Sequence, residues 1–406
     1  MKVLVLNCGS SSLKYKLFDM KEKKALAKGL AERIGSSGSR LKHYAVGRDE
    51  VVIDKPFHGH SEAMEAVFKV LTSPEHGVIG DVREIQAVGH RVLHGGEKFH
   101  RPVVVDDDVL KTLQECIELA PLHMRHNILG IKVCQKLISH ATQVAVFDTE
   151  FHQTMPEYAF KYAIPHEIYE LYKVRKYGFH GISHEYVAGM AAKMVGVKLE
   201  NLKIITCHLG NGASLCAVKG GKCRDTTMGF TPLGGVIMGT RCGDVDPAII
   251  PFMAEKTGFS LSQIVEMLNT KSGVLGISGF SSDFRDIEKA ARAGHSGACL
   301  ALSMFIYSVS KAIGSLIPVI GGLDVLVFTA GIGENSPEIR RGICAKLDFL
   351  GVVLDEQRNS AGGNEMEIST PASLVKVLVI PTDEEKAIAE KTVELLDNSL
   401  ADKYVS

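Results

Sequence analysis

A surplus of one charge sign is missing from these 406 residues: 46 Lys and Arg stand against 47 Asp and Glu, and no block of like charge occurs. Nothing then draws a nucleic acid or an anionic membrane over long range, so neither is expected, and partners should be small molecules or protein. A Cys-x-x-Cys pair is also absent. The nine cysteines, an odd number, lie mostly in apolar runs (Cys116, Cys134, Cys207, Cys216), which disfavours a disulfide frame and suits reduced, buried thiols in a cytoplasmic protein. A secretory leader is not expected, since the run Val3 to Leu6 is too short and enters Asn7 directly. No GxxxxGK followed by Ser or Thr occurs, which disfavours a Walker-type NTPase. The pieces Gly210 to Gly212 and Gly331 to Gly333 lack dinucleotide-binding spacing.

What is present is an ordinary globular composition, 45% hydrophobic and 23% charged, at a length that predicts two domains. Strand patterns alternate with helical ones. "QVAVFD" (143–148), "KIITCHLGNG" (203–212), "LDVLVFTAGIGEN" (323–335) and "SLVKVLVIPTDEE" (373–385) are each a buried strand whose last residues turn polar, and strand C-terminal ends bind ligands in α/β proteins. The longest apolar stretch, Cys299 to Leu323, is interrupted by Lys311 and several serines and reads as a core helix with a following turn. Ser61 reads as a helix N-cap, and Thr382 with Glu385 as a capping box opening the last helix.

The segment "VLVLNCGSSSL" (3–13) resembles "IITCHLGNGASL" (204–215), about half the chain later. Both are a strand, a small polar turn and a second strand, which suggests a duplicated domain. The first turn spends Asn7, Gly9, Ser10, Ser11 and Ser12 on small polar groups and places Lys14 just beyond. Together with 210–212 and 331–333 it makes three strand-end loops with bare amides, suited to phosphate oxygens.

Arg91, between His90 and Val92 in an apolar strand, and Arg241, after "GGVIMGT", read either as structural ion pairs or as forks for a carboxylate or phosphate. Asp148 and Glu384 at two strand ends, with Asn7 at a third, offer the hard oxygens that Mg²⁺ prefers. "HGISHE" (180–185) spaces His180 and His184 four apart but lacks the Glu of a zinc hydrolase motif. His180, and His123 in "PLHMRHN", read better as donors to a developing anion.

These motifs, with "GHRVLHGGE", "FDTEFH", "YGFHGISH", "GGVIMGTRCGDVDP" and "PTDEE", resemble the acetate kinase family in that family's order along the whole chain. The resemblance implies an α/β fold of two duplicated ribonuclease H-like domains, of the actin and sugar kinase type, around a nucleotide cleft. The expected boundaries are 1–150, completed by the C-terminal helix 384–406, and 151–383. It implies a cytoplasmic homodimer that transfers a phosphoryl group reversibly between ATP and acetate, giving ADP and acetyl phosphate. Mg²⁺ would be the metal, with Mn²⁺ able to substitute.

By the same resemblance Asn7 and Glu384 are magnesium-site residues and Lys14, Ser10 and Ser12 lie near ATP. His208, Leu209, Gly210, Asn211 and Gly212 form the phosphate loop. Asp283, Phe284 and Arg285 contact adenosine, and Gly331, Ile332, Gly333, Glu334 and Asn335 wall the adenine and ribose. Arg91 and Arg241 embrace acetate and the phosphoryl group, with His180 and His123 as donors and Asp148 as the active-site acid. Leu93, Leu122, Phe179 and Pro232 wall the acetate methyl; Leu93 stands where the family commonly has valine, which should disfavour propionate. Because a simple carboxylate is ionised at neutral pH, Asp148 is expected to order Mg²⁺ and Arg91 instead of acting as a base. A propionate or other short-chain carboxylate kinase is the enzyme alternative, and an ATP-driven chaperone or filament protein of the same fold the other.

Overall fold

The opening apolar run becomes the middle of strand β1 (Lys2–Cys8), where Val3, Leu4, Val5 and Leu6 are buried. A strand covered on both faces needs such a continuous run. In this computed structural model, which describes residues 1–363 and 365–404 without the side chains of Leu122 and 399–404, the chain divides into two units. One comprises Met1–Glu150 with Asp383–Ser406, the other Phe151–Thr382.

The first unit holds β1, β2 (Ser12–Asp19), β3 (Lys24–Glu32), β4 (Arg40–Ala45), β5 (Val51–Asp54), β6 (Ile85–Val92), β7 (Val103–Val104) and β8 (Thr142–Phe147), in the sheet order β5-β4-β3-β2-β1-β6-β8-β7. β1 runs antiparallel to β2 and parallel to β6, which is parallel to β8. The parallel strands therefore end together, which brings Asn7, Arg91 and the residues after Phe147 to one sheet edge. The helix Glu384–Tyr404 packs on β1, β6 and β8. It comes so close that a β-carbon at Gly89 would lie 2.6 Å from Ile388 Cγ2 and 2.7 Å from Thr392 Oγ1, so only glycine fits that position of β6.

The second unit holds β9 (Lys203–Leu209), β10 (Ala213–Lys219), β11 (Lys222–Thr226), β12 (Val325–Thr329), β13 (Met366–Glu367) and β14 (Lys376–Val379), ordered β11-β10-β9-β12-β14-β13. β9 is antiparallel to β10 and parallel to β12, and β12 is parallel to β14. These six strands repeat the order β3-β2-β1-β6-β8-β7 of the first unit, with β9 and β10 in the places of β1 and β2, while β4 and β5 have no counterpart. The helix Ser296–Ile320 is long and apolar enough, by length and composition, to cross a membrane. Here Ala298, Ala301, Phe305, Val309, Ile313, Leu316 and Ile320 recur at helical spacing on its buried face, and it packs on β10.

Two local expectations are corrected. The helix His60–Leu71 has Gly59 as its N-cap, so Ser61 lies inside the first turn and the helix starts two residues earlier than the serine suggests. The last helix begins at Glu384, and Asp383 caps it by accepting from the Lys386 amide at 3.1 Å. Thr382 instead shares a 2.8 Å hydrogen bond with the Ser183 hydroxyl, so Thr382 and Glu385 form no capping box.

Candidate active site

In the first unit the strand-end acids close around Arg91. Its Nε and Nη2 donate to the two oxygens of Asp148 at 3.2 and 2.7 Å, and its Nε lies 3.5 Å from Glu384 Oε2. Asp148 is buried and held in place by its own amide, which donates to the Val92 carbonyl at 2.9 Å. Burial alone would lower the pKa of Arg91, but Asp148 and Glu384 outweigh it and raise it. Burial pushes the Glu384 carboxyl up from its ordinary range, against the pull of Arg91, while Asp148 and Glu385 push it the same way. Crowded carboxylates that a cation would relieve, all with hard oxygen donors, fit the chemistry of a magnesium site.

Lys14 is exposed and ion-pairs with Glu385, while Lys16 reaches Asp383 at 3.0 Å. Ser10 is exposed and Ser12 half-buried in the first loop, whose Gly9 amide donates to the Ser12 carbonyl at 2.9 Å. The end of β1 is tied to the end of β6 by Asn127, which donates to the Cys8 carbonyl and accepts from the Leu93 amide, both at 3.0 Å. His123 is exposed on the helix Pro121–Leu137. Leu93 is half-buried, packed on the cluster of Val92, Ala145 and Phe147.

In the second unit the loop 210–212 connects β9 to β10, and its Gly210 amide donates to the Gly212 carbonyl at 3.0 Å. A β-carbon at Gly212 would lie 3.1 Å from Arg241 Nη1 and 3.5 Å from His180 Cε1, so loop, guanidinium and imidazole meet at this glycine. Arg241 is partly buried. Its Nη1 reaches only the Pro232 carbonyl at 3.3 Å and the Met238 sulfur at 3.8 Å, and among the described residues no carboxylate pairs with it. Burial lowers its pKa, yet a guanidinium remains charged at any ordinary pH. This cation has desolvation without a counter-charge.

His180 caps the helix Gly181–Val195 with φ 57°, a left-handed conformation that a non-glycine residue adopts at some cost. Its Nδ1 lies 2.8 Å from Ser214 Oγ, which also meets His184 Nε2 at 2.8 Å, while His184 Nδ1 meets Thr206 Oγ1 at 2.7 Å. His208 stacks on His180 with ring centroids 4.1 Å apart and meets Ser183 Oγ at 2.8 Å. The wholly buried His184, with both nitrogens engaged by hydroxyls, has its pKa driven well down by burial and by the neighbouring His152 and His208. Through the Ser214 hydroxyl it is linked to His180.

A cavity of about 790 Å³ lies in this unit, lined by Gly210, Asn211, Ser282, Asp283, Phe284, Arg285, Glu288, Gly331, Ile332, Asn335 and Ser336. Three segments distant in sequence thus wall one hollow. Gly333 and Glu334 turn into the fold instead: the Gly333 carbonyl accepts from Arg340 Nη1 at 2.9 Å, and the Glu334 carboxylate from the Thr382 amide at 3.2 Å. Leu209 is buried at the end of β9 and can offer a ligand only its backbone. Phe284 packs edge-on against Phe305 at 4.7 Å, and Arg285 pairs with Asp283. Phe179 is buried, Pro232 half-buried, and the Leu122 side chain lies outside the described ones.

Sequence reasoning missed Ser282, Glu288 and Ser336 on the cavity wall, and the positioning hydroxyls of Ser183 and Thr206. Ser214 lies in the quoted "IITCHLGNGASL" and could have been found there. Residues 331–333, expected as a loop, lie in the short helix Ala330–Asn335 that follows β12 directly, and Ala330 at its start, at φ 64°, carries no signal in its residue type.

The acetokinase family matches residues 2–390. An acetate kinase of Thermoanaerobacter pseudethanolicus is 56% identical over 397 residues, 98% of this chain and 99% of that one. One of Carboxydothermus hydrogenoformans is 55% identical over 398 residues, 98% and 100% of the two chains. Among solved structures, Porphyromonas gingivalis acetate kinase superposes with a TM-score of 0.94 at 46% identity, covering 97% of this chain and 99% of that one. A propionate kinase from Francisella tularensis gives 0.91 at 41%, with the same coverage.

Proposed function

The chain belongs to the acetokinase family, and from that premise we propose that it is a magnesium-dependent acetate kinase, moving a phosphoryl group reversibly between ATP and acetate. Its fold is the duplicated α/β fold of acetate and sugar kinases. The observation that carries the mechanism is the contrast of its two arginines: one is paired with acids, the other is desolvated with no acid partner among the described residues.

Acetate and a polyphosphate repel each other, so the protein must supply positive charge where they meet. Arg241 is the free charge: it takes the transferring phosphoryl group, and the Gly212 loop presents its amides to the same oxygens. His180, held by Ser214, donates a hydrogen bond as charge develops. Arg91 binds the acetate carboxylate with its orientation set by Asp148, whose task is positioning and not proton removal. Lys14 and the loop at Ser10 and Ser12 add donors for the nucleotide phosphates, and His123 a further donor. The cavity walled by Asp283 to Arg285 and by Gly331, Ile332 and Asn335 takes adenosine.

Asn7, Asp148 and Glu384 would hold Mg²⁺, directly or through its waters, and the ion when bound neutralises phosphate oxygens. The same hard donors would accept Mn²⁺. The methyl of acetate rests on Leu93, Leu122, Phe179 and Pro232. A cytoplasmic homodimer completes the reading, supported by Leu300, Met304 and Tyr307, exposed apolar residues of the helix Ser296–Ile320. Trapping acyl phosphate as hydroxamate, with ATP, Mg²⁺ and acetate, propionate or butyrate, tests the proposal. Acetate should give the highest kcat/KM, and no hydroxamate with any acid would sink it.

A further inference from the structure

Away from the residues of the proposed reaction, the second unit gathers three soft donors. His152 lies on the turn Phe151–Thr154, Cys216 on β10 and Cys223 on β11, and all three side chains are wholly buried. His152 Nδ1 is 3.2 Å from Cys223 Sγ and 3.9 Å from Cys216 Sγ, and the two sulfurs are 3.4 Å apart. We propose that His152, Cys216 and Cys223 form a buried three-donor site for a thiophilic cation, with zinc(II) the ion its donors suit best.

The spacing is the first argument. An ion about 2.3 Å from sulfur and about 2.05 Å from nitrogen in tetrahedral geometry sets the sulfurs roughly 3.8 Å apart and nitrogen roughly 3.6 Å from each. The three observed separations all fall within about 0.4 Å of those edges. Tautomer is the second. His152 Nε2 lies 2.9 Å from the Phe179 carbonyl, so it carries the proton and donates, which turns the Nδ1 lone pair toward the sulfurs. Charge is the third. Two thiolates and a neutral imidazole balance a divalent ion, so the loaded site is neutral and its burial carries no net-charge penalty.

Binding would pin the β10–β11 hairpin to the 151–154 turn, on the strand that also carries Ser214. The role is therefore structural, and it is separate from the hard-oxygen magnesium residues of the first unit.

The test is to express the protein in zinc-supplemented medium, pass it through gel filtration in excess Mg²⁺ to strip hard-oxygen sites, and measure zinc per chain by mass spectrometry. Cobalt(II) introduced in place of zinc then reports the ligands, because only thiolate ligation gives an intense near-ultraviolet charge-transfer band. About one zinc per chain is expected, with a cobalt–thiolate band. Both should be lost in Cys216→Ser and in Cys223→Ser, while acetate kinase turnover persists. Wild-type protein with no retained zinc and no band overturns the proposal, whatever the variants do. Zinc without a band, or a band that survives both substitutions, places the ion elsewhere and overturns it equally.

Discussion

The loop after β1 and the loop after β9 occupy the same place in two copies of one sheet pattern, yet their surroundings are opposite in kind. The first opens beside an arginine that already has acid partners, Arg91 against Asp148 and Glu384. The second opens beside Arg241, which has no acid partner among the described residues. Gly9 is small because of its own loop, where a β-carbon would meet Ser12 Oγ at 2.9 Å; Gly212 is small because of Arg241 and His180. Two equivalent strand ends thus differ in charge: one adjoins an arginine paired with acids, the other an arginine with no acid partner among the described residues.

The largest expected effect separates the arginines. Arg241→Ala should lower kcat on the order of 10³-fold or more with little change in ATP affinity, and its thermal midpoint should hold or rise, since a desolvated cation is removed. Arg91→Ala should lower turnover too, but also destabilise by about 3 kcal/mol, because Asp148 is left buried without its cation. Calorimetry beside steady-state kinetics checks this, and equal midpoint losses would erase the distinction.

Next come the glycines. Gly212→Ala should cost on the order of 10²-fold in kcat by displacing Arg241. Gly9→Ala should be milder, because the Ser12 hydroxyl it meets can rotate away. If Gly9→Ala proved the more damaging in the same assay, the assignment of the two loops would be reversed.

Each unit also buries a neutral histidine, and these set a pH response. Burial lowers the His90 pKa to about 4, opposed by its 2.8 Å bond to Gln143; His184 is shifted in the same direction. The unfolded chain binds the proton near pH 6.5 and the folded chain only near 4, so stability is complete above about 6.5 and lost as pH falls through that window. His90 alone contributes about 3 kcal/mol. Urea midpoints from pH 7 to 4.5 should fall, and His90→Gln should flatten the slope.

The smallest effect concerns the acceptor pocket. Leu93→Val should raise kcat/KM for propionate relative to acetate by an amount within about 1 to 3 kcal/mol, the worth of a methylene. An unchanged ratio would remove Leu93 from the pocket.

Much of this was legible in the residues. A strand buried on both faces announces itself by a continuous apolar run, as at Val3–Leu6 and in "VAVF", and the small polar residues after β1 and β9 marked the loops and their repeat. Backbone caps were less legible: serine and threonine at 61 and 382 look like N-caps, but burial of the following helix chose Gly59 and Asp383. The sequence by itself determined which strand ends turn polar, because periodicity and local residue type are properties of neighbours along the chain. Only tertiary structure decided that Arg91 is satisfied and Arg241 is not, and that His152 meets two cysteines more than sixty residues away. Partnership depends on which side chains share a dielectric pocket, and sequence spacing carries no record of that distance.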